Sequence, residues 1–371
     1  MKKEFSVAGR LIGRGHPCFI IAEAGVNHNG SVKLALQLVD AAHAAGADAV
    51  KFQTFVAEQL ASPLAGKAQY QKTNDKRHAN QQEMLKSLQL KAEDYRTLKT
   101  YCEKKGILFL SSPFDLVSFE LLEKLGVAAY KIPSGEITNL QLLKAAAKSG
   151  KPVILSTGMS SLQEVRKAYE FLQSNGCTQL AILHCTSEYP APPSSLNLNN
   201  ILTLKKEFPV PIGYSDHSRG IEAPALAVGL GACIIEKHFT LDRKMQGPDH
   251  AASLEPGGLG EMVALIRRLE LKTPRAQEES RHLLDKNAAM LGRHEKEPVP
   301  SELATRQLVR KSVFATRGLK AGGIIHEEDL VSKRPMLEGA FKSEELYSLV
   351  GRRLRTAIAS GAPIYKKDVE A

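Results

Sequence analysis

Two histidines, each set just beyond a short apolar run, have the spacing in this chain that most suggests chemistry. Ser215-Asp216-His217 follows the run 210–214, and Glu236-Lys237-His238 follows the run 232–235. Polar groups repeated after buried strands are what an α/β barrel presents at the carboxyl ends of its strands, where such folds do chemistry. Imidazoles on neighbouring strands can share one divalent ion, while either alone reads equally well as a hydrogen-bonded core histidine. The placement recurs along the chain: Glu23 after one run, Lys51, Gln53 and Thr54 after the next, then Ser111 and Ser112, then Lys131, Ser134 and Glu136, then Ser156 and Thr157, then His184, Thr186 and Tyr189. Two lysines, a series of hydroxyls and glycine-rich turns at one mouth would suit a phosphate with an attached carboxylate, held by charge-assisted bonds and backbone N–H donors. Singly, each serine or lysine is also compatible with a helix cap or a solvated side chain.

The elements that must position these groups alternate. Short apolar runs at 19–22, 49–52, 107–110, 129–132, 153–155, 180–183, 211–214 and 232–235 are separated by helical patterns such as 31–45 and 139–148. Eight such units are the number at which a parallel sheet closes into a (β/α)8, or TIM, barrel. The alternative, an open doubly wound sheet, lacks support because no G-x-G-x-x-G follows the first run. The long polar stretch 57–91 predicts a loop at the strand-end face, placed as a substrate lid. After a last barrel helix at 259–271, residues 272–305 are charged and broken by Pro274, Pro298 and Pro300, which predicts a linker with some helix. From 306 to 371 short β-like pieces return with glycine turns, so the expected division is a barrel over 1–271, the linker, and a small β-rich domain.

Composition narrows the class. The 371 residues are 43% hydrophobic and carry a net charge of +10. No basic run is long and no nucleic-acid motif appears, so the excess suits surface solvation or an anionic small substrate. Met1-Lys2-Lys3 leads into no apolar segment, and no apolar run approaches a membrane span, so the cytosol is the expected compartment. The five cysteines contain no C-x-x-C pair and predict neither a disulfide framework nor a zinc knuckle.

The strand ends also carry a resemblance. The stretches FIIAEAGVNHNG (19–30), ADAVKFQT (47–54), LSSPF (110–114), YKIPSGE (130–136), ILSTGM (154–159), LHCTSEYP (183–190), GYSDH (213–217), IEKHFT (235–240) and GPDH (247–250) resemble the bacterial sialic acid synthases. Lys333-Arg334-Pro335 resembles the KRP of their antifreeze-like (SAF) domain, so the likeness covers nearly the whole chain. It implies a TIM barrel followed by a β-rich SAF domain. It also implies condensation of phosphoenolpyruvate with an open-chain N-acylated mannosamine to give a nine-carbon 2-keto acid and phosphate. By similarity, Lys51, Ser112, Lys131, Ser134, Ser156 and Ser215 would hold phosphoenolpyruvate. His217 and His238 would ligate a divalent metal, manganese or magnesium, and Glu23 would be the acid/base. Glu136, Tyr189 and Asp249 would engage the sugar, joined by Arg334 from the partner in a domain-swapped homodimer. The family often has glycine after KRP where this chain has Met336. The combination of motifs looks closer to synthases making N,N'-diacetyllegionaminate than to those making N-acetylneuraminate. The rival expectations are another phosphoenolpyruvate-dependent aldol-type synthase on the same barrel and a carbohydrate-binding relative without activity.

Overall fold

A computed structural model describes residues 1–271 and 273–370. A hairpin, β1 (Glu4–Val7) and β2 (Arg10–Gly13), opens the chain. The barrel strands follow: β3 (Phe19–Gly25), β4 (Ala49–Thr54), β5 (Leu108–Pro113), β6 (Tyr130–Ile132), β7 (Val153–Ser156), β8 (Leu180–Cys185), β9 (Ile212–Asp216) and β10 (Ile234–His238). Their order is β5-β4-β3-β10-β9-β8-β7-β6, with every pair parallel, and β5 lies against β6 at the remaining seam. This is the expected nearly closed eight-stranded barrel. Several strands run past their apolar runs into the polar residues, so Glu23, Lys51, Ser112, Ser156, Ser215 and His238 stand on the sheet itself.

Local chemistry explains the helices that wrap it. Ser31 caps Val32–Ala44 by accepting from the Leu34 N–H, and Ala35, Leu38, Val39 and Ala42 form its buried stripe at helical spacing. A Ser161/Glu164 capping box starts Leu162–Ser174. One apolar layer lies between strands and helices and a smaller one lies inside the barrel. Phe5, Val7 and Ile12 belong to the inner layer, so the hairpin stoppers the barrel at the ends opposite the polar residues.

One expectation changes. The stretch 57–91 is not a loop: it folds into the helices Ala57–Leu60, Gln69–Asn74 and Gln81–Leu88. Leu60, Ala61, Met84, Leu85 and Leu88 join Val26, Phe55 and Phe114 in a satellite core, which holds the segment down. Within 272–305, the helix Pro274–Lys286 packs on the barrel helices Glu222–Gly229 and Pro256–Glu270, and a further helix spans Pro300–Val309. The C-terminal part pairs β11 (Ser312–Ala315) with β12 (Leu330–Lys333) antiparallel around a small core of its own. It docks on the barrel mouth of the same chain through a bridge between Ala61 and Arg334.

Candidate active site

Alternation along a strand decides which residues face the barrel interior. On β9 and β10, Ser215 and Glu236 face the cavity, as do His217 and His238 beyond them. The intervening Asp216 and Lys237 are cross-strand neighbours and form a buried ion pair that ties the two strands together. The motifs GYSDH and IEKH therefore split into cavity-facing and buried, ion-paired residues at every second position. The FIIAEAGVNHNG turn is mostly structural as well. Asn27 donates to the Phe239 carbonyl at 2.8 Å and to Ser253 Oγ at 3.0 Å, stitching the first turn to the last. In the GPDH turn a Cβ on Gly247, at φ +152°, would lie 2.6 Å from His250 Cδ2 and 2.7 Å from Asn29 Oδ1, so only glycine fits.

The mouth holds a cavity to which all eight barrel strands contribute residues at their carboxyl ends. Glu23, Lys51, Ser112, Lys131, Ser134, Ser156, Tyr189, Ser215, His217, His238, Asp249 and Arg334 all line it. At its floor Lys51 Nζ lies 2.6 Å from Glu23 Oε2, 3.0 Å from Ser112 Oγ and 3.6 Å from Glu236 Oε2. Lys131 Nζ lies 3.2 Å from Glu236 Oε1, which also accepts from Ser215 Oγ at 2.8 Å. Glu236 thus anchors both lysines, a role not visible from its place in IEKH. Burial opposes its ionisation, but Lys131 and Lys51 overcome it and hold Glu236 at about 2. Burial pushes Glu23 up to about 7 despite Lys51, with the like charge of Glu236 adding to the rise. A carboxyl near neutrality can both take and give a proton. Burial lowers the ammonium of Lys131, while Glu23 and Glu236 outweigh burial and raise that of Lys51.

The imidazoles of His217 and His238 have ring centroids 5.4 Å apart, with Tyr189 packed on His217 at 4.2 Å. His217 Nδ1 donates to the Thr186 carbonyl at 2.7 Å, and against burial Cys185 beside it raises this ring to about 9, so a metal ion at Nε2 would have to displace a proton. His238 Nδ1 is buried without a hydrogen-bond partner, and burial, with His217 and Lys51 close by, holds this ring well below the usual imidazole range and therefore neutral. Two such nitrogens beside open cavity fit a divalent ion whose other ligands are water or substrate. Among the described residues no third histidine, cysteine or carboxylate joins them to complete a ligand cluster. Ser156 Oγ and Arg334 Nε are likewise buried without partners. Such orphans in a cleft mark places for a ligand.

One expected contact is corrected. Glu136 does not line the cavity. It is fully buried behind it, with Oε2 bonded to Lys311 at 2.7 Å and Asn139 at 2.8 Å and Oε1 3.9 Å from Arg334 Nη2. Lys311, a buried cation of the C-terminal part, holds Oε2, while Oε1 has no hydrogen-bond partner. Arg334, expected from a partner, lines the cavity of the single chain that the structure holds. Its backbone pairs with Leu60 and Ser62, and its guanidinium lies 3.4 Å from Gln81 Oε1 and 5.5 Å from the Phe114 ring centroid. The segment 57–91 adds residues that its polar composition concealed. Tyr70 stacks on Tyr189 at 4.9 Å, and Asn74 bonds the Pro248 carbonyl at 2.7 Å, closing one side of the mouth.

The likenesses to known proteins point the same way. Residues 38–278 match the NeuB family and residues 310–370 match the SAF domain. The chain is 44% identical to an N,N'-diacetyllegionaminic acid synthase of Legionella pneumophila, over 97% of this chain and 96% of that one. It is 35% identical to the human N-acetylneuraminate-9-phosphate synthase, covering 98% and 95%. The crystal structure of the spore coat polysaccharide biosynthesis protein SpsE of Bacillus subtilis superposes with a TM-score of 0.82 at 34% identity, covering 99% of each chain. The two matches and these likenesses together span nearly the whole chain, and the chain belongs to the NeuB family.

Proposed function

We propose that this protein is a phosphoenolpyruvate-dependent sialic acid-type synthase that joins phosphoenolpyruvate to an open-chain, N-acylated mannosamine derivative. The observation that carries the reading is the pair of buried lysines, with a row of hydroxyls, on the floor of a cavity whose other groups are Glu23 and two imidazoles. In this reading Lys51, Lys131, Ser112, Ser134, Ser156 and Ser215 hold the phosphate and carboxylate. A manganese or magnesium ion on His217 and His238 would supply Lewis-acid polarisation of the aldehyde oxygen. C3 of the enol forms the new bond to the aldehyde carbon, whose oxygen becomes a hydroxyl. Water adds at C2, and the bond from C2 to the phosphate oxygen breaks, leaving a ketone and inorganic phosphate. Glu23 passes the proton between this water and the new hydroxyl, and water is positioned rather than free. Tyr189, Asp249 and Arg334 would hold the sugar, with Glu136 acting behind Arg334.

The sugar we favour carries no phosphate. Leu60, Met84, Leu85, Leu88 and Phe114 form an apolar wall beside Arg334, and apart from Lys51, Lys131 and the two imidazoles, Arg334 is the one cationic side chain among the described residues lining the cavity. A second phosphate would have to take Arg334, the group this reading assigns to the sugar, as its one cationic partner, which is costly in a buried site. Parallel turnover with N-acetylmannosamine, its 6-phosphate and 2,4-diacetamido-2,4,6-trideoxymannose tests this: the phosphorylated acceptor should be the poorest, and a preference for it would defeat the assignment. The wall favours the trideoxy sugar, hence an N,N'-diacetyllegionaminate-type product.

Lys131→Ala should raise the KM for phosphoenolpyruvate by about tenfold or more and that for the sugar far less, since a charge-assisted bond to a desolvated anion contributes about 1.5–3 kcal/mol. It also leaves Glu236 with one cation fewer, so the variant should be destabilised by about 3 kcal/mol. Adding Glu236→Gln should restore stability without restoring the KM. A sugar KM that moves while that for phosphoenolpyruvate stays constant would show the lysine to be misplaced.

We further propose a cytosolic homodimer in which the C-terminal part is exchanged between chains. The buried contacts of the C-terminal part begin at Lys296, after Arg293-His294-Glu295, an exposed stretch held to the barrel by two hydrogen bonds, from Arg293 N–H to Asn197 and from Thr203 to the His294 carbonyl, that a swapped chain would release to cross over. Arg334→Ala should weaken the sugar more than phosphoenolpyruvate. Co-expressed with Glu23→Ala, it should recover part of the activity, because one site of each mixed dimer then carries neither defect. Mixed dimers that remain inactive would mean that Arg334 serves its own barrel. Among the described residues no helix is long and apolar enough to cross a membrane.

A further inference from the structure

The stretch 296–311 has the composition of a linker, yet four of its charged side chains are buried. Lys296, Glu302, Arg310 and Lys311 are each between 1% and 3% exposed. A buried charge must find partners, and these find them on the loops at the barrel mouth. Lys296 Nζ donates to the Ser160 carbonyl at 2.8 Å, Arg310 donates to Ser160 Oγ at 2.8 Å and to Thr138 Oγ1 at 3.2 Å, and Lys311 Nζ donates to the Phe114 carbonyl at 2.6 Å. Glu302 differs in kind. It forms no ion pair among the described residues and spends its carboxylate on backbone: Oε1 accepts from the Met159 N–H at 2.8 Å and the Ser187 N–H at 2.6 Å, and Oε2 accepts from Val299 at 2.9 Å.

The two outside amides sit on different loops, one after β7 and one after β8. They meet at a crowded point. Gly158 N donates to Ser134 Oγ at 2.9 Å, and a Cβ on Gly158 would lie 2.2 Å from Ser187 Oγ and 3.0 Å from Ser134 Oγ. The next residue, Met159, is held at φ 57°, in the left-handed region that a non-glycine residue keeps only when its surroundings impose it. Glu302 therefore ties the loop that follows Ser156, and that bonds Ser134 through Gly158, to the loop that carries Tyr189.

We propose that Glu302 is a positioning residue for the anion subsite, acting through the Met159 and Ser187 amides from a segment outside the barrel. This rests on the reading of Ser134 and Ser156 as phosphoenolpyruvate contacts. Glu302→Gln has nearly the same size, but it replaces one acceptor oxygen by an NH2 and cannot keep all three bonds. The expected result, with phosphoenolpyruvate as the titrant in calorimetry and as the varied substrate in kinetics, is a rise of about tenfold in both Kd and KM. The sugar KM and kcat should change by less than about threefold. A residue that only holds the fold together would lower the amount of active enzyme, and so kcat, while leaving Kd and KM unaltered. Glu302→Asp keeps the charge and is the milder change; it should fall between wild type and Gln, and it carries the same readout if the Gln variant does not fold. Wild-type binding of phosphoenolpyruvate with equal affinity in a folded variant overturns this inference alone, whereas a wild-type protein that binds none overturns the functional reading beneath it.

Discussion

Turnover should fall by at least about 10²-fold, toward the limit of detection, when His217 or His238 is replaced by alanine, and bound manganese should fall with it. Each ring offers one nitrogen to the cavity: His217 through Nε2, once the ion displaces its proton, and His238 as a neutral imidazole with no other partner. With either gone, a single protein ligand remains, and ion affinity drops accordingly. Metal content measured by elemental analysis, with circular dichroism as the check on folding, separates loss of the ion from loss of structure. Chelation of the wild-type protein should reproduce the defect, and added manganese or magnesium should reverse it. Full activity of either variant in metal-free buffer would sink the assignment.

Glu23→Gln should lower kcat by about 10²–10⁴-fold, the usual contribution of a positioned acid/base, without raising the KM for phosphoenolpyruvate. The second half discriminates. Lys51 loses a partner at 2.6 Å and keeps Glu236 at 3.6 Å, so its ammonium becomes more available to an incoming anion and the KM should stay level or fall. Retained kcat would remove Glu23 from the mechanism. Stability carries a second signature. Folding raises this carboxyl from 4.5 to about 7, so between those values the folded chain keeps a proton that the unfolded chain releases. Stability from this group therefore falls as pH rises through that window. Glu236, held at about 2, acts oppositely: its contribution is present above 4.5 and lost as pH falls toward 2. Chemical denaturation across pH should show the Gln variant losing the first dependence and keeping the second.

What the sequence by itself determined is local and periodic. Apolar runs followed by polar residues located all eight barrel strands, because a buried parallel strand is apolar along its length and its carboxyl end is where chemistry is admitted. The same pattern singled out Glu23, Lys51, Lys131, Ser156, Ser215 and both histidines, which the fold brings to one cavity. The rest depended on partners far along the chain. The hairpin Glu4–Gly13 is too short to signal itself, and its apolar side chains matter only because an open barrel end awaits them. The stretch 57–91 looks like a polar loop because its Gln71 and Gln81 are buried by contacts that no local period encodes. Lys311 and Glu136, or Glu302 with Met159 and Ser187, read as solvated charges until the fold sets them against each other. Apolar burial repeats with the period of its own element, so the sequence displays it. A buried charge is tolerated only where a distant group answers it, and only the tertiary structure decides where that is.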